Sequence, residues 1–460
     1  AFMRARSLST PGAYGRGGPQ VCGPVREYYL CDNVETIQEA VYTNMGPSAA
    51  FRAPGYVEGT FALESAMDEL AVALDMDPLE LRRKNHADRN QPRDMDYSQK
   101  HLLDSYREGA KAIRWDARRG TTARGGGQTA AHGGAATPGA GHARRVRGIG
   151  MATQGWGGGG SPPSYAIVRL NPDGTFDVMT GTHDLGTGTK TVMTQVAAEE
   201  LGVPMERIHI TIGDTLTCPY SLLSAGSLTV PSVGPTVRAA AADAKRQIVE
   251  IAAVMLDVDE AELVVADGAI SASSDPSTKV TMDEVATKIG NYMVIGKGAR
   301  GPNPSDVSVN TFGAQFAEVE VDLDTGEVRV LRIVAAHEFG RVLNPLTLSS
   351  QIEGGVFQGA GFATMEERIM DPATGRFVNA NLSEYRLPTA ADVPQVDSIF
   401  IGPPDERSNN TGAKGAGEPP IIPPAAAIAN AVFDATGVRM RDLPLTRKRV
   451  LAALEEGGTR

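Results

Sequence analysis

Residues 119–145 are almost wholly Gly, Ala, Thr, Arg and His. A stretch so poor in large apolar groups cannot bury enough surface to offset the entropy of ordering its backbone. The cores this chain builds must therefore lie on either side of it. The reading is a flexible linker over residues 118–146 that separates residues 1–117 from residues 147–460. The chain has 460 residues, 41% of them hydrophobic and 22% charged, an ordinary globular composition with enough length for more than one core.

Upstream of the break, Phe61, Leu63, Met67, Leu70, Ala71 and Leu74 recur at three- and four-residue steps and predict an amphipathic helix. Asp77-Pro78-Leu79-Glu80 starts another, with Asp as N-cap, Pro at the first helical position and Glu at the capping-box position. Residues 1 to about 50 read as strands and loops. Downstream, residues 164–180 read as a hairpin turning at Pro172-Asp173-Gly174. A helix carrying Val192, Val196 and Leu201 ends at Gly202. Ile208, Ile210 and Ile212 alternate as in a strand. An Ala-rich helix is expected from about residue 236 to 256, a second hairpin at Asp324-Thr325-Gly326, and closing helices over 425–435 and 446–454. Strands and helices interleave without a regular βαβ rhythm, so the fold class is α+β.

No apolar run approaches the roughly 18 residues of a membrane-spanning helix. A net charge of −11 argues against a nucleic-acid partner, because phosphate binding rests on clustered Lys and Arg. The cysteines Cys22, Cys31 and Cys218 form no Cys-x-x-Cys pair, and the seven histidines are scattered. Side chains of this sequence are thus expected to ligate no metal; a metal would arrive inside a cofactor. No secretory signal is visible, so the expected compartment is the cytoplasm, or the periplasm by co-export with a partner.

Three small-residue loops stand out. Gly412-Ala413-Lys414-Gly415-Ala416-Gly417-Glu418-Pro419-Pro420 ends a run of small residues on one carboxylate, fixed by two prolines. It reads either as a general base beside a backbone cradle or as a surface loop with a solvated acid. Residues 181–190 and 224–234 open onto helices and have the form of phosphate cradles, although neither matches a dinucleotide or P-loop fingerprint. Generic helix capping is the competing reading of both.

Gly412 to Pro420 resembles the active-site loop of the xanthine dehydrogenase/aldehyde oxidase family of molybdenum hydroxylases. The resemblance extends in order through Phe51-Arg52-Ala53-Pro54-Gly55 with Ala62-Leu63-Glu64-Ser65-Ala66-Met67-Asp68-Glu69-Leu70, Asp77-Pro78-Leu79-Glu80-Leu81-Arg82-Arg83-Lys84-Asn85, Gly340-Arg341-Val342-Leu343-Asn344-Pro345 and Gln351-Ile352-Glu353-Gly354-Gly355, and covers nearly the whole chain. It implies two mixed α/β molybdopterin-binding domains and a molybdenum–molybdopterin cofactor in the cytosine dinucleotide form. It further implies [2Fe–2S] and FAD subunits as partners. By the same resemblance, Glu418 is the base that deprotonates a metal-bound hydroxyl, hydride passing to a metal-bound sulfur, and Arg52 faces the small-molecule substrate, an aldehyde or an N-heterocycle. Cofactor contacts are implied at Gly186, Thr187 and Gly188, at Ser224, Ala225, Gly226 and Ser227, at Arg341, Asn344, Thr347 and Gln351, and at Lys414, Gly415, Ala416 and Gly417. Lys414 and Arg341 would offset cofactor negative charge. The competing readings are turn chemistry at Asn344-Pro345 and pairing of Arg52 with Glu58 or Glu64.

The sequence also departs from the family. Thr187 stands where many relatives carry glutamine. Phe51-Arg52-Ala53-Pro54 lacks the copper-binding cysteine of carbon monoxide oxidisers, which points to the bacterial aldehyde-oxidising members. The glycine-rich segment and glutamine that precede the arginine loop are missing, so the expectation is either a partner chain carrying the N-terminal molybdopterin-binding half or a sequence that is a fragment of a longer one. The competing function is a non-catalytic scaffold subunit without bound cofactor.

Overall fold

The computed structural model describes residues 3–9, 20–42, 49–117, 144–290 and 292–457. The linker expected over 118–146 lies almost entirely outside them.

The central element is a four-stranded sheet in the order Gln395–Ile401, Val328–Glu338, Asn310–Asp322, Arg145–Gly157. Its first pair is parallel and the others antiparallel. Successive residues of a strand face opposite sides, and both sides are covered. Ala152, Ala317, Ile333 and Ala335 pack under the helices Pro345–Thr364 and Pro424–Thr436. Met151, Phe312, Phe316 and Val334 pack with Leu102, Tyr106 and Ile113 of the helix Leu102–Ile113. Helix Pro424–Thr436 rests directly on strand Arg145–Gly157 because the strand has glycines there. A Cβ at Gly148 would stand 2.2 Å from Ala431 O, and one at Gly150 2.2 Å from Ala431 N.

A second four-stranded sheet, in the order Ile295–Ala299, Tyr165–Leu170, Phe176–Thr180, Ile208–Ile212, uses the same device. Its Gly296 and Gly298 admit the Ala-rich helix Thr229–Leu256, where a Cβ would come within 2.0 Å of Ala240 O and Thr236 O. Helix Thr189–Leu201 completes this core. The architecture is α+β, as the interleaving of elements predicts.

Most predicted elements are present. Helix Pro78–Lys84 is capped by Asp77, which accepts from the amides of Leu79 and Glu80. Glu80 pairs with Arg83 and does not close a capping box. Gly202 ends its helix with φ 66°. Both hairpins form. The helix predicted from about residue 236 begins at Thr229 and carries Pro235 inside it, so the supposed loop over 224–234 is helical from Thr229 onward. Among the described residues no helix is long and apolar enough to cross a membrane.

Candidate active site

A cavity of about 460 Å³ opens where the two sheet-and-helix layers meet. Five segments line it: residues 50–52, residues 185–192, the turn preceding helix Thr229–Leu256 with that helix's first residues, residues 339–351 leading into helix Pro345–Thr364, and residues 413–418. All the expected site residues line it except Gly186 and Gly188. The lining has one acidic side chain, Glu418.

The Glu418 loop is fastened to the central sheet. Lys414 N donates to Phe339 O (2.8 Å) and Arg341 N to Gly412 O (2.7 Å), a short continuation of strand Val328–Glu338. Gly415 N donates to Gly158 O (3.0 Å). Only glycine fits at 415, because a Cβ there would lie 2.1 Å from Ser227 O. Pro419 and Pro420 open a short 3₁₀ turn directly after the acid.

Two residues in the left-handed backbone region hold the carboxylate. Ala53, fully buried at φ 54°, donates its amide to Glu418 Oε1 (3.3 Å). Ser227, at φ 63°, donates its hydroxyl to Oε2 (3.4 Å) and accepts from the Glu418 amide (2.8 Å). Left-handed non-glycine residues carry strain and cluster at functional sites. Burial pushes the Glu418 carboxyl above its ordinary value, and the Ala53 amide, the Ser227 hydroxyl and nearby Arg52 offset part of that rise.

Arg52 pairs with neither Glu58 nor Glu64; Glu64 is taken by fully buried Arg82 at 2.8 Å. The Arg52 guanidinium spans the cavity wall, donating from Nε to Gly417 O (2.5 Å), from Nη1 to Gln358 Oε1 (3.0 Å) and from Nη2 to Gln351 O (2.8 Å). Burial pushes it down to about 10, against the pull of Glu418.

Other expected contacts are engaged elsewhere. The Lys414 amine is fully buried behind the loop, bound to Glu338 Oε1 (2.6 Å), Asn310 O (2.7 Å) and Asp405 Oδ2 (3.4 Å). It supports the loop from beneath and is not free to meet cofactor charge. Arg341 turns to Glu199 at 2.7 and 2.8 Å. Asn344 caps helix Pro345–Thr364, accepting from Thr347 N (3.0 Å), and donates to Gln195 (3.0 Å). In the loop over residues 181–190, Asp184 accepts from the amides of Gly186, Gly188 and Lys190. This helix start therefore carries its own anion, and Gly188 packs against Thr347. Sequence reasoning missed the Ala53 amide, visible only as a backbone angle, and the buried acids beneath Lys414.

Do these residues suit an organic molybdenum cofactor? Among the described residues no cluster of three or more His, Cys, Asp and Glu is placed to hold a metal, so a metal in this cavity would need ligands of its own. No described residue accepts a hydrogen bond from the amides of Gly226, Ala416 or Gly417. A row of unpaired backbone donors along a cavity suits an oxygen-rich ligand. The donor set fits.

Two family descriptions, both of a molybdopterin cofactor-binding domain, match residues 2–86 and 128–394. The chain is 36% identical over 415 residues to the aldehyde oxidoreductase molybdenum-binding subunit PaoC of Escherichia coli O157:H7, a match covering 88% of this chain and 52% of that one. It is 32% identical over 460 residues to the xanthine dehydrogenase molybdenum-binding subunit of the same organism, covering 96% and 59%. Its fold is that of quinoline 2-oxidoreductase from Pseudomonas putida 86, with a TM-score of 0.83, 24% identity and coverage of 98% and 60%. The chain thus spans between half and three-fifths of the length of these relatives. Two cofactor-binding matches, relatives along nearly the whole sequence and one cavity that gathers the expected loops place this chain in the molybdopterin cofactor-binding family, among the molybdenum-binding subunits of the xanthine dehydrogenase/aldehyde oxidase group.

Proposed function

We propose that this chain forms the base-carrying wall of a molybdopterin-dependent hydroxylase that oxidises an aldehyde or an N-heterocycle. The observation that carries the proposal is the arrangement around Glu418. A lone carboxylate, raised in pKa by burial and aimed by two strained residues, shares a cavity with unpaired backbone donors. The amides of Gly226, Ala416 and Gly417 would hold the cofactor, in its cytosine dinucleotide form, with Thr187, Ser224, Ala225, Thr347 and Gln351 around it. When bound, the cofactor supplies the oxygen for transfer and accepts two electrons.

This chain supplies proton handling and orientation. Glu418 takes a proton at the oxygen that faces the cavity, and its raised pKa brings it nearer the working pH, where a general base is most effective. Ala53 and Ser227 fix the direction of its lone pairs. Arg52 sets positive charge beside the reacting centre, fixed by acceptors on two other segments, where it can offset charge developing on the substrate. Phe51, Leu185, Val192, Val230 and Leu348 line the cavity, which keeps water out and favours an uncharged substrate. Phe51 and Leu185 are 59% and 69% exposed at the mouth. We assign that face to a further molybdopterin-binding segment, and the onward electron path to Fe–S and FAD subunits. Residues 118–146 would then link two cofactor-binding units.

One observation favours the scaffold reading. The Lys414 and Arg341 cations are both neutralised within the chain, which leaves few charges for an anionic cofactor. Molybdenum and pterin analysis of the assembled enzyme decides between the two. The proposal expects about one molybdenum per chain and turnover of aromatic aldehydes or N-heterocycles with an artificial electron acceptor. A fully assembled complex with neither metal nor pterin in this chain would leave only the scaffold.

A further inference from the structure

Three polar side chains interrupt the apolar face of the central sheet. Gln154, Gln315 and His337 lie on three adjacent strands, on the side that carries helices Pro345–Thr364 and Pro424–Thr436, and all are completely buried. Gly313 pairs with both Gln154 and His337 and sits between them. A Cβ on Gly313 would lie 2.3 Å from His337 Nδ1. The missing side chain is what lets the imidazole lie across the middle strand and reach the Gln154 amide at 3.2 Å. On its other side, His337 Nε2 meets Gln315 Nε2 at 3.1 Å. The ring stacks on Phe339, a residue of the cavity lining, at 5.4 Å and 12°.

The row ends on the turn that carries the base. Gln315 Nε2 donates to Pro420 O at 2.7 Å. A carbonyl can only accept, so this bond fixes the orientation of the Gln315 amide. The second hydrogen of the same nitrogen points at His337 Nε2, which must then be unprotonated. In a neutral ring Nδ1 carries the hydrogen and needs an acceptor. Gln154 Oε1 and Gln315 Oε1 are both buried without a partner, and turning the Gln154 amide by half a revolution brings its oxygen to Nδ1. Pro420 in turn belongs to the 3₁₀ turn closed by Ile421 N on Glu418 O (3.2 Å). Proline has no amide hydrogen, so its carbonyl is the one backbone handle on that residue.

We propose that Gln154, His337 and Gln315 are positioning residues for Glu418, a buried relay in which a neutral, Nδ1-protonated His337 locks the Gln315 amide onto the carbonyl two residues beyond the base. The inference rests on reading Glu418 as the base. Burial holds His337 down to about 3, so the ring stays neutral throughout the working range and the relay keeps its direction. An apolar trio would fill this space without leaving buried polar groups to satisfy. The relay contributes a fixed position for the turn.

The test uses the assembled enzyme with three variants, Glu418→Gln, Gln315→Leu and Gln315→Met. Both Gln315 variants remove the donor to Pro420 O, and the second keeps the length of the unbranched side chain. The expected result is kcat reduced about 10- to 100-fold with KM and molybdenum content unchanged, as for loss of a supporting contact behind a reacting group. In parallel, 15N spectra of histidine-labelled enzyme should show one imidazole in the neutral Nδ1–H form from pH 5 to 8, absent in His337→Gln. Unchanged kcat in both Gln315 variants, alongside inactive Glu418→Gln, overturns the positioning role alone. Activity retained in Glu418→Gln overturns the reading beneath it. Should the Gln315 variants fail to fold or load, the spectrum decides: a charged or Nε2–H His337 refutes the relay, and the neutral Nδ1–H form supports it.

Discussion

Replacing Glu418 with glutamine separates the charge of this side chain from its shape, and the structure predicts opposite effects on rate and stability. Glutamine keeps an oxygen for the Ala53 amide, and its NH₂ can donate to the Ser227 hydroxyl, so both anchoring contacts survive. What is lost is the proton acceptor. A general base contributes about 10²–10⁴-fold, or about 2.7–5.4 kcal/mol of transition-state stabilisation at about 1.36 kcal/mol per decade. The stability sign follows from the raised pKa of Glu418, whose ordinary value is 4.5. The native state binds this proton more tightly than the unfolded chain does, so ionising the group costs stability. That cost is absent below the ordinary value and fully present above the native one. At neutral pH the variant should therefore unfold at the same or a higher temperature than the parent, and the difference should vanish on acidification below pH 4.5. The assays are anaerobic reduction of the metal centre by substrate and thermal unfolding of the same preparation, with molybdenum content as control. Reduction within tenfold of the parent, or a Tm lowered by several degrees at pH 7, would refute the reasoning.

Lys414→Met should strand Glu338 and Asp405 as uncompensated buried acids, destabilising the chain by about 3–5 kcal/mol; a lower urea midpoint checks it. Gly415→Ala would drive a Cβ to 2.1 Å from Ser227 O, so the turn must shift, and molybdenum and pterin content should fall while the far sheets keep their circular dichroism. The pH profile of kcat/KM should show an acidic limb above the ordinary carboxylate value of 4.5, because Glu418 must be ionised to accept a proton. A limb at or below that value would contradict a desolvated base.

The sequence was most readable where local chemistry decides the outcome. Asp77-Pro78 announced its helix by capping alone, and the Pro172-Asp173-Gly174 turn announced its hairpin. Strand Asn310–Asp322 was legible only at its end, through the Asp324-Thr325-Gly326 turn that follows it. Both of its faces are buried, so its first half shows no polar–apolar alternation. Pro231 and Pro235 disguised the first turns of helix Thr229–Leu256, because proline in a helix is tolerated only where neighbours permit. The site loops were recognisable by composition and order, yet the direction of each side chain was not. Lys414 looked like a cofactor cation and is a buried brace. Asp184 looked like one more polar residue and fills the helix start that a phosphate was expected to occupy. His337 gave a weak signal, a polar residue at a core position of a strand, and its meaning depends on Gly313 across the sheet. Such pairings become visible only once the strands are in register.

The central claim is that the cavity bearing Glu418 is the seat of the cofactor, held by the amides of Gly226, Ala416 and Gly417. The most direct test is residue-resolved hydrogen–deuterium exchange of those amides in assembled enzyme loaded with cofactor and in enzyme from cells unable to make it. The account predicts strong protection at these three positions on loading. Equal exchange there in both forms, with protection appearing at other loops, would contradict it.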